Sequence, residues 1–188
     1  MNKKITLKFW IVAGMVALAA ISRFLPHPPN FTPVTGMALF GAAYFAKKYW
    51  AFIIPFVALW FSSLVLDNVV YAQYYDGFQW FSQPWVFVSL ILITLLGAGF
   101  LKKVSIKNVV GTSLVASTVF FLVTNFGSWQ MDIAGIYADD FAGLVACYAA
   151  GLPYFLNTIA GDLFYCGVLF GGYELIKQQV PQLQKNIV

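Results

Sequence analysis

Three ionisable residues lie inside long apolar segments of the sequence: Arg23, Asp162 and Glu174. A charged side chain at the centre of a membrane helix costs at least ~2.5–3.5 kcal/mol, so such residues usually face a cavity or a partner. Arg23 lies near the end of its segment, where a long side chain can reach the interface. Glu174 is at helical spacing from Lys177, which predicts an ion pair. Asp162 has neither explanation and is the strongest candidate for chemistry.

Asp162 shares one face of its predicted helix with two other polar residues. At ~100° per residue, Thr158, Asp162 and Tyr165 fall on a single stripe. The opposite stripe is made of small residues: Ala160, Gly167 and Gly171. A small-residue stripe favours close approach of another helix. The polar stripe is typical either of a solute pocket or of hydrogen bonds that hold helices together, and the sequence leaves both open.

Sequence motifs of common enzymes and pumps are absent. There is no GxxxxGK[ST] phosphate loop and no HExxH, and His27 is the only histidine. Cys147 and Cys166 have no partner at metal-ligand or redox spacing. We therefore expect no cofactor, no metal and no catalytic residues. A small enzyme acting on lipid through Asp162, His27 or Asp139, and a structural membrane subunit, remain the alternatives.

The composition indicates which elements position these residues. Of 188 residues, 61% are hydrophobic and only 10% are charged, against about 25% charged in soluble domains. A bilayer core of ~30 Å needs ~20 mostly apolar helical residues. The apolar runs predict one all-α integral membrane domain over residues 1–188, with a short interfacial or re-entrant helix at 141–150 before the last span. The six predicted spans are 9–25, 31–46, 49–66, 84–101, 109–126 and 152–176.

The distribution of charge predicts the orientation of these spans. All ten Lys fall in the segments 1–8, 47–48, 102–108 and 177–188, whereas the other connections hold five of the seven acidic residues. The positive-inside rule then places both termini in the cytoplasm. Because the Lys residues sit at the ends of apolar runs, the net charge of +4 does not indicate nucleic-acid binding.

Aromatic residues are concentrated in the predicted outer connections. Trp80 belongs to a group of six aromatics within 67–83, and Trp129 follows the fifth run. Aromatic belts are common at membrane interfaces, but six in one connection also suit a loop that folds over a pocket and stacks on a flat ligand. On the first run, Ala13, Ala17 and Ala20 form a close-packing stripe, for a neighbouring helix or a partner.

Four segments of the chain resemble a family pattern: residues 22–34 (SRFLPHPPNFTPV), 38–41 (ALFG), 122–127 (LVTNFG) and 147–163 (CYAAGLPYFLNTIAGDL). They are similar to a bacterial family of small membrane proteins that are assigned to transport and have no established function. That family in turn resembles the substrate-binding S-components of energy-coupling-factor (ECF) vitamin transporters. Those are six-helix proteins with an outward-facing pocket, and their first helix docks on a membrane partner.

The resemblance implies a substrate-binding transport subunit for a small, vitamin-like solute, located in the inner (cytoplasmic) membrane of a bacterium. Its partners would be the bilayer, the solute and an ATPase with its coupling protein. Ala13, Ala17 and Ala20 would then be the docking stripe. The candidate substrate-binding residues are Arg23, His27, Asn30, Trp80, Asn125, Trp129, Asn157, Thr158, Asp162 and Tyr165.

Overall fold

The computed structural model describes residues 3–132 and 135–184, and every regular element in these ranges is helical. The predicted all-α fold is therefore confirmed for the described chain. Lys185, which we assigned to the cytoplasmic side, lies outside the described residues. The helices are α1 (Lys3–Ile21), α2 (Val34–Tyr44), α3 (Lys48–Val65), α4 (Pro84–Phe100), α5 (Ile106–Gln130), α6 (Phe141–Gln179) and α7 (Pro181–Gln184).

Four helical segments are long and apolar enough to cross a membrane: Leu7–Phe24, Lys48–Val70, Ile106–Gln130 and Phe141–Gln179. The helices α2 and α4 are apolar but shorter, with 11 and 17 residues. A membrane bundle agrees with these helices. The count of six spans and their orientation stay predictions.

The predicted interfacial or re-entrant helix at 141–150 is wrong. Residues 141–150 are the first turns of α6, which is continuous for 39 residues and contains Pro153. Proline removes one backbone hydrogen bond of a helix, but packing can compensate. The early part of α6 packs on α5, where Tyr148 donates to the Leu122 carbonyl at 2.6 Å and Cys147 to the Asn125 carbonyl at 3.4 Å.

Local sequence explains where three of the helices begin. Pro84 is at the first turn of α4, as its fixed φ favours. Ser105 caps α5 by accepting from the Asn108 amide, and Asp140 caps α6 by accepting from the Gly143 amide at 2.8 Å. The Asp139–Asp140 pair therefore contributes a helix cap.

The short helix α2 forms the centre of the bundle. It contacts α1, α3, α4, α5 and α6, and nine of its 11 residues are buried. Gly36 lies against Tyr165, and Gly41 lies against Pro55. The predicted span 31–46 is thus represented by a helix of only about 16 Å, roughly half of a bilayer core.

The bundle has two chemically different ends. The Lys end carries Lys8, Lys48, Lys107 and Lys177, and the loop end carries residues 66–83, 131–132 and 135–140. The helix α2 runs from the interior to the Lys end, where Tyr44 donates to Glu174 at 3.1 Å. No residue of α2 therefore fills the half of the bundle nearest the loop end.

Packing along α5 and α6 reflects this difference. Between Thr158 and Tyr173, α6 has eight buried residues, but toward the loop end only Gly143 and Cys147 are buried. In α5, six residues from Val109 to Phe120 are buried, and beyond Phe120 only Gly127 is. Burial along α5 and α6 is therefore concentrated at the level of α2, whereas α3 and α4 keep buried residues toward the loop end, such as Ser62 and Phe87.

Candidate functional site

Asp162 lies in a buried polar cluster formed by three helices. Its side chain is 2% exposed. It is hydrogen-bonded to Ser117 of α5 at 2.6 Å and also to the side chain of Thr35 of α2. Ser117 and Thr35 are themselves buried. The carboxyl group of Asp162 therefore joins α2, α5 and α6.

This cluster lies at the end of α2 that points into the bundle. Ideal helix geometry gives about 18 Å along α6 between Glu174 and Asp162. Next to Asp162, Gly161 lies against the backbone of Phe31 and Thr32, which lead into α2. A side chain at Gly161 would displace this backbone. The α2 N-terminus, with its positive dipole end, is thus fixed at the depth of Asp162.

The predicted polar stripe of α6 does face the interior. Thr158, Asp162 and Tyr165 are all buried. Thr158 donates to its own helix, at the Tyr154 carbonyl, whereas the Tyr165 hydroxyl lies 3.0 Å from Ser22 Oγ of the segment after α1. Among the described residues, no side-chain cation lies within 4.0 Å of Asp162. The one ion pair in that part of the chain is the predicted pair of Lys177 and Glu174, at 3.2 Å.

Arg23 forms a second polar group, between α1 and α3. A 3₁₀ turn at Ser22–Phe24 follows α1 and directs the Arg23 side chain across the bundle. Its Nη1 donates to the Ser62 Oγ at 2.5 Å, the Ser63 Oγ at 3.0 Å and the Leu59 carbonyl at 3.3 Å. The side chain thus bonds α3. We expected it to extend along α1 to the membrane interface, and it does not.

Asp67 is close to Arg23 and was not among the predicted site residues. It lies in a π-helical turn, Leu66–Val70, that continues α3, and it is only 6% exposed. Its Oδ2 accepts from Ser82 at 2.5 Å. Asp67 follows Ser63, the hydrogen-bond partner of Arg23, by four residues, but no Arg23 nitrogen is within 4.0 Å of an Asp67 oxygen.

The connection between α3 and α4 folds back onto α3. Asn68 donates to the Gln79 carbonyl at 2.8 Å and accepts from the Gln79 amide at 2.7 Å. Trp60 donates to the Trp80 carbonyl at 3.0 Å. The Trp80 indole itself is exposed and packs at a tilt on Phe78, with ring centroids 4.7 Å apart. The connection is therefore held on α3, with Trp80 exposed and with Phe81 stacked on Phe87 of α4.

The proline-rich turn before α2 is held against α6. Asn30 has a φ of 63°, a left-handed conformation that asparagine tolerates better than most residues. Asn157 donates to the Pro29 carbonyl at 3.0 Å. His27 Nδ1 lies 2.9 Å from the Pro28 carbonyl. Of these candidates, Asn30 and Asn157 position the turn, and His27 does not reach the Asp162 cluster.

The remaining candidates lie nearer the loop end. Asn125 donates to the Phe121 carbonyl and lies against Gly151 of α6. Trp129 donates to the Ala138 carbonyl at 2.9 Å. The candidate binding residues therefore form separate groups around Asp162, around Arg23, in the proline-rich turn and at the loop end.

The small-residue stripes of α6 and α1 differ in how far they are covered by the described residues. On α6, Gly167 and Gly171 are exposed, and a Cβ added at either position would have no atom of another described residue within 4 Å. On α1, Ala17 is exposed, Ala13 is partly buried and Ala20 is buried. The three alanines thus do not present one continuous outer face.

Five residues of the site were not among the predicted ones: Thr35, Ser62, Ser63, Asp67 and Ser117. Hydroxyls in membrane helices usually bond their own backbone, so nothing in their type marks them. Asp67 directly follows an apolar run and was interpreted as a residue of the connection. The useful signal is the lone Arg23, because a partly buried guanidinium needs several acceptors.

A protein-family model covers almost the whole chain. The model of a family of unknown function, DUF6580, matches residues 3–183. The chain belongs to the DUF6580 family. No curated protein matches the chain, and no solved structure matches it. The resemblance to a family without established function is thus confirmed, and no comparison links this DUF6580 member to ECF S-components.

Proposed function

We propose that this DUF6580 protein is a membrane transport protein that binds a small solute from the outer side of the membrane. The observation that carries the proposal is the half-length helix α2, which begins beside Asp162 in the interior of the bundle. Transporter sites are often built where a helix is interrupted near the bilayer midplane. Irregular backbone at that depth is tolerated where it is buried in protein or lines a cavity.

The distribution of packing favours access from the loop end. Since α2 occupies only the half nearest the Lys end, the helices α3 to α6 are not packed around a central helix in the other half. Burial along α5 and α6 decreases there, as described above. A solute entering at the loop end would meet the α2 N-terminus, Thr35 and Asp162 as a closed floor.

Polar groups suited to a solute lie at the level of this floor. Ideal helix geometry places Ser62 about 21 Å along α3 from Lys48, a depth close to that of Asp162. Arg23, bonded to Ser62, therefore lies beside the same region. Few, well-positioned polar groups in an apolar surround are typical of small-molecule sites.

The proposal is tested with purified protein and with cells. We expect a small molecule to co-purify with the detergent-extracted wild type and to be identified by mass spectrometry after denaturation. Asp162→Asn, which keeps the side-chain volume, should lower uptake of that molecule. The matched control is Thr118→Ala on the exposed face of α5. Absence of any bound molecule, together with unchanged uptake by Asp162→Asn, would remove the support for transport.

The S-component-like role and the energy source need a separate experiment. If the protein works with an ATPase and a coupling protein, these should co-purify from native membranes, and uptake should need ATP. Ala17→Trp, on the exposed part of the alanine stripe, should then weaken co-purification, and Ile91→Trp on exposed α4 should not. Uptake without such a module would leave solute binding intact and assign the energy to an ion gradient. Product formed from labelled lipid would instead favour the enzyme alternative.

A further inference from the structure

The Ser117 hydroxyl has two hydrogen-bond partners. Its oxygen lies 2.6 Å from Oδ2 of Asp162 on α6 and 3.0 Å from the Ser113 carbonyl of its own helix. A hydroxyl group has one proton to donate, and neither a carbonyl oxygen nor an ionised carboxylate can donate. With an ionised Asp162, Ser117 could therefore make only one of these two bonds. Both bonds form if Asp162 carries a proton, because the acid then donates to Ser117 and Ser117 donates to the Ser113 carbonyl.

A second serine shows the same arrangement with a donor of fixed identity. Ser62 donates to the Leu59 carbonyl of its own helix at 3.0 Å and accepts from Arg23 Nη1 at 2.5 Å. A guanidinium has donors only, so the Ser62 proton is left for the backbone carbonyl. At Ser117, the position of the donor is taken by the carboxyl group of Asp162.

The surroundings of Asp162 favour the neutral acid. The side chain is 2% exposed, and no side-chain cation of the described residues lies within 4.0 Å of it. Its partners Ser117 and Thr35 are hydroxyl groups, which can donate or accept and so fit either form of the carboxyl group. Burying an unpaired carboxylate costs far more than burying a neutral polar group.

Few other titratable groups share this region of the bundle. On α6, the Tyr165 hydroxyl is bonded to Ser22, and the Cys166 sulfur lies 3.7 Å from Ser113 Oγ. Arg23, after α1, donates to α3. The other described titratable side chains of the helices packed on α6 lie at the Lys end: Lys8 of α1, Tyr44 of α2 and Lys107 of α5.

We propose that Asp162 is a proton-binding site inside the bundle, whose protonated carboxyl group donates to Ser117 while α2, α5 and α6 are packed together and releases the proton when water reaches it. In that step the carboxyl O–H bond breaks, its electron pair stays on the carboxylate, and the proton passes to water. Ser117 then donates to the carboxylate, and the Ser113 carbonyl loses its side-chain partner. This inference goes beyond the proposed function, since the ligand is a proton whatever the solute.

Infrared spectroscopy of the full-length protein in detergent measures the protonation, because a carboxylic acid and a carboxylate have different C=O stretching bands. At neutral pH we expect the wild type to show an acid band that is lost in Asp162→Asn. The matched control is Asp140→Asn. Asp140 is exposed and accepts from the Gly143 amide, so this variant should lose a carboxylate band and keep the acid band. If Asp162→Asn loses only carboxylate bands, Asp162 is ionised and the inference is overturned.

A second variant tests the hydrogen bond itself and keeps the test decisive if Asp162→Asn does not fold. Ser117→Ala removes the acceptor of the acid proton. We expect the acid band of Asp162 to remain in this variant and to move to higher frequency, because its hydrogen bond is lost. An acid band at the wild-type frequency would show that Asp162 does not donate to Ser117 and would overturn the inference.

Proton binding also predicts a pH dependence of reversible unfolding in mixed detergent micelles. If the native state binds one proton more than the unfolded state, in which water reaches Asp162, stability falls as the pH rises. Above about pH 5, where exposed aspartate is ionised, the unfolding equilibrium constant of the wild type should rise by up to about tenfold per pH unit relative to that of Asp162→Asn, whose amide does not titrate. A ratio that is constant with pH overturns the inference, whereas failure to find solute binding overturns only the proposed function.

Discussion

The Ser117 hydroxyl of α5 and the Asp162 carboxyl of α6 are joined by a 2.6 Å hydrogen bond at the depth where α2 begins. The same hydroxyl oxygen lies 3.0 Å from the Ser113 carbonyl of its own helix. Ser117 thus connects the backbone of α5 to the one carboxyl group deep in the bundle. Cys166 extends this contact, since its sulfur lies 3.7 Å from Ser113 Oγ.

Removing the Ser117 hydroxyl should destabilise the bundle. Ser117→Ala leaves Asp162 with only the Thr35 side chain as partner, and interhelical hydrogen bonds in membrane proteins contribute about 0.6–1.7 kcal/mol. We expect the melting temperature in detergent to fall by about 2–5 °C. Thr118→Ala, which removes an exposed hydroxyl bonded to the Leu114 carbonyl, is the control. An equal fall in both variants would contradict a special role for Ser117.

A methyl group at Gly161 should disturb the start of α2. A Cβ there would lie 3.0 Å from the Phe31 Cα and 3.1 Å from the Thr32 nitrogen, and backbone cannot move aside as a flexible side chain can. We expect Gly161→Ala to cost about 1–3 kcal/mol, measured by thermal unfolding. Gly167→Ala on the same helix has no neighbour within 4 Å and should be neutral or slightly stabilising, since alanine favours helix. The reverse order of these two variants would contradict the packing described at Gly161.

The connection between α3 and α4 should loosen without Asn68. Asn68→Ala removes the hydrogen bonds to both the amide and the carbonyl of Gln79, and that to the Leu64 carbonyl. Hydrogen exchange at Gln79 should become at least about tenfold faster, because losing about 1.4 kcal/mol of local stability changes opening tenfold. Gln73→Ala, at an exposed position of the same connection, should leave that rate unchanged. If both variants exchange alike, Asn68 is not what orders the connection.

Single introduced cysteines should establish the orientation. Asp76 lies in the connection at the loop end and Lys103 lies between α4 and α5 at the Lys end. With a membrane-impermeant maleimide on intact cells, we expect Asp76→Cys to react and Lys103→Cys to react only after permeabilisation. The native Cys147 and Cys166 are buried, so the wild type gives a low background. The opposite labelling pattern would show that the Lys-rich end faces outward.

The sequence predicted the features that depend on local chemistry. Pro84 begins α4, the Glu174–Lys177 pair forms, and Thr158, Asp162 and Tyr165 face inward. Each of these follows from helical periodicity or from the backbone of one residue. The same periodicity leaves open which partners such residues find.

The features that the sequence did not predict depend on contacts between distant segments. The apolar run at 31–46 gives no sign that the backbone of its first residues, Phe31 and Thr32, will pack on Gly161 of α6. Pro153 and Gly151 suggested a helix end, but the packing of α6 on α5 near Asn125 keeps the helix continuous. The partners of Arg23 lie about forty residues away on α3, beyond the reach of any pattern within one element.

The length of α2 has a consequence for how the protein is made. A segment of 11 helical residues is well below the ~17 that a membrane-spanning helix needs, so hydrophobicity alone gives α2 little reason to insert by itself. It must enter the bilayer together with its neighbours, of which α3 follows directly and is long enough to span. During synthesis, the centre of the bundle is therefore completed only after the helices that surround it have been inserted.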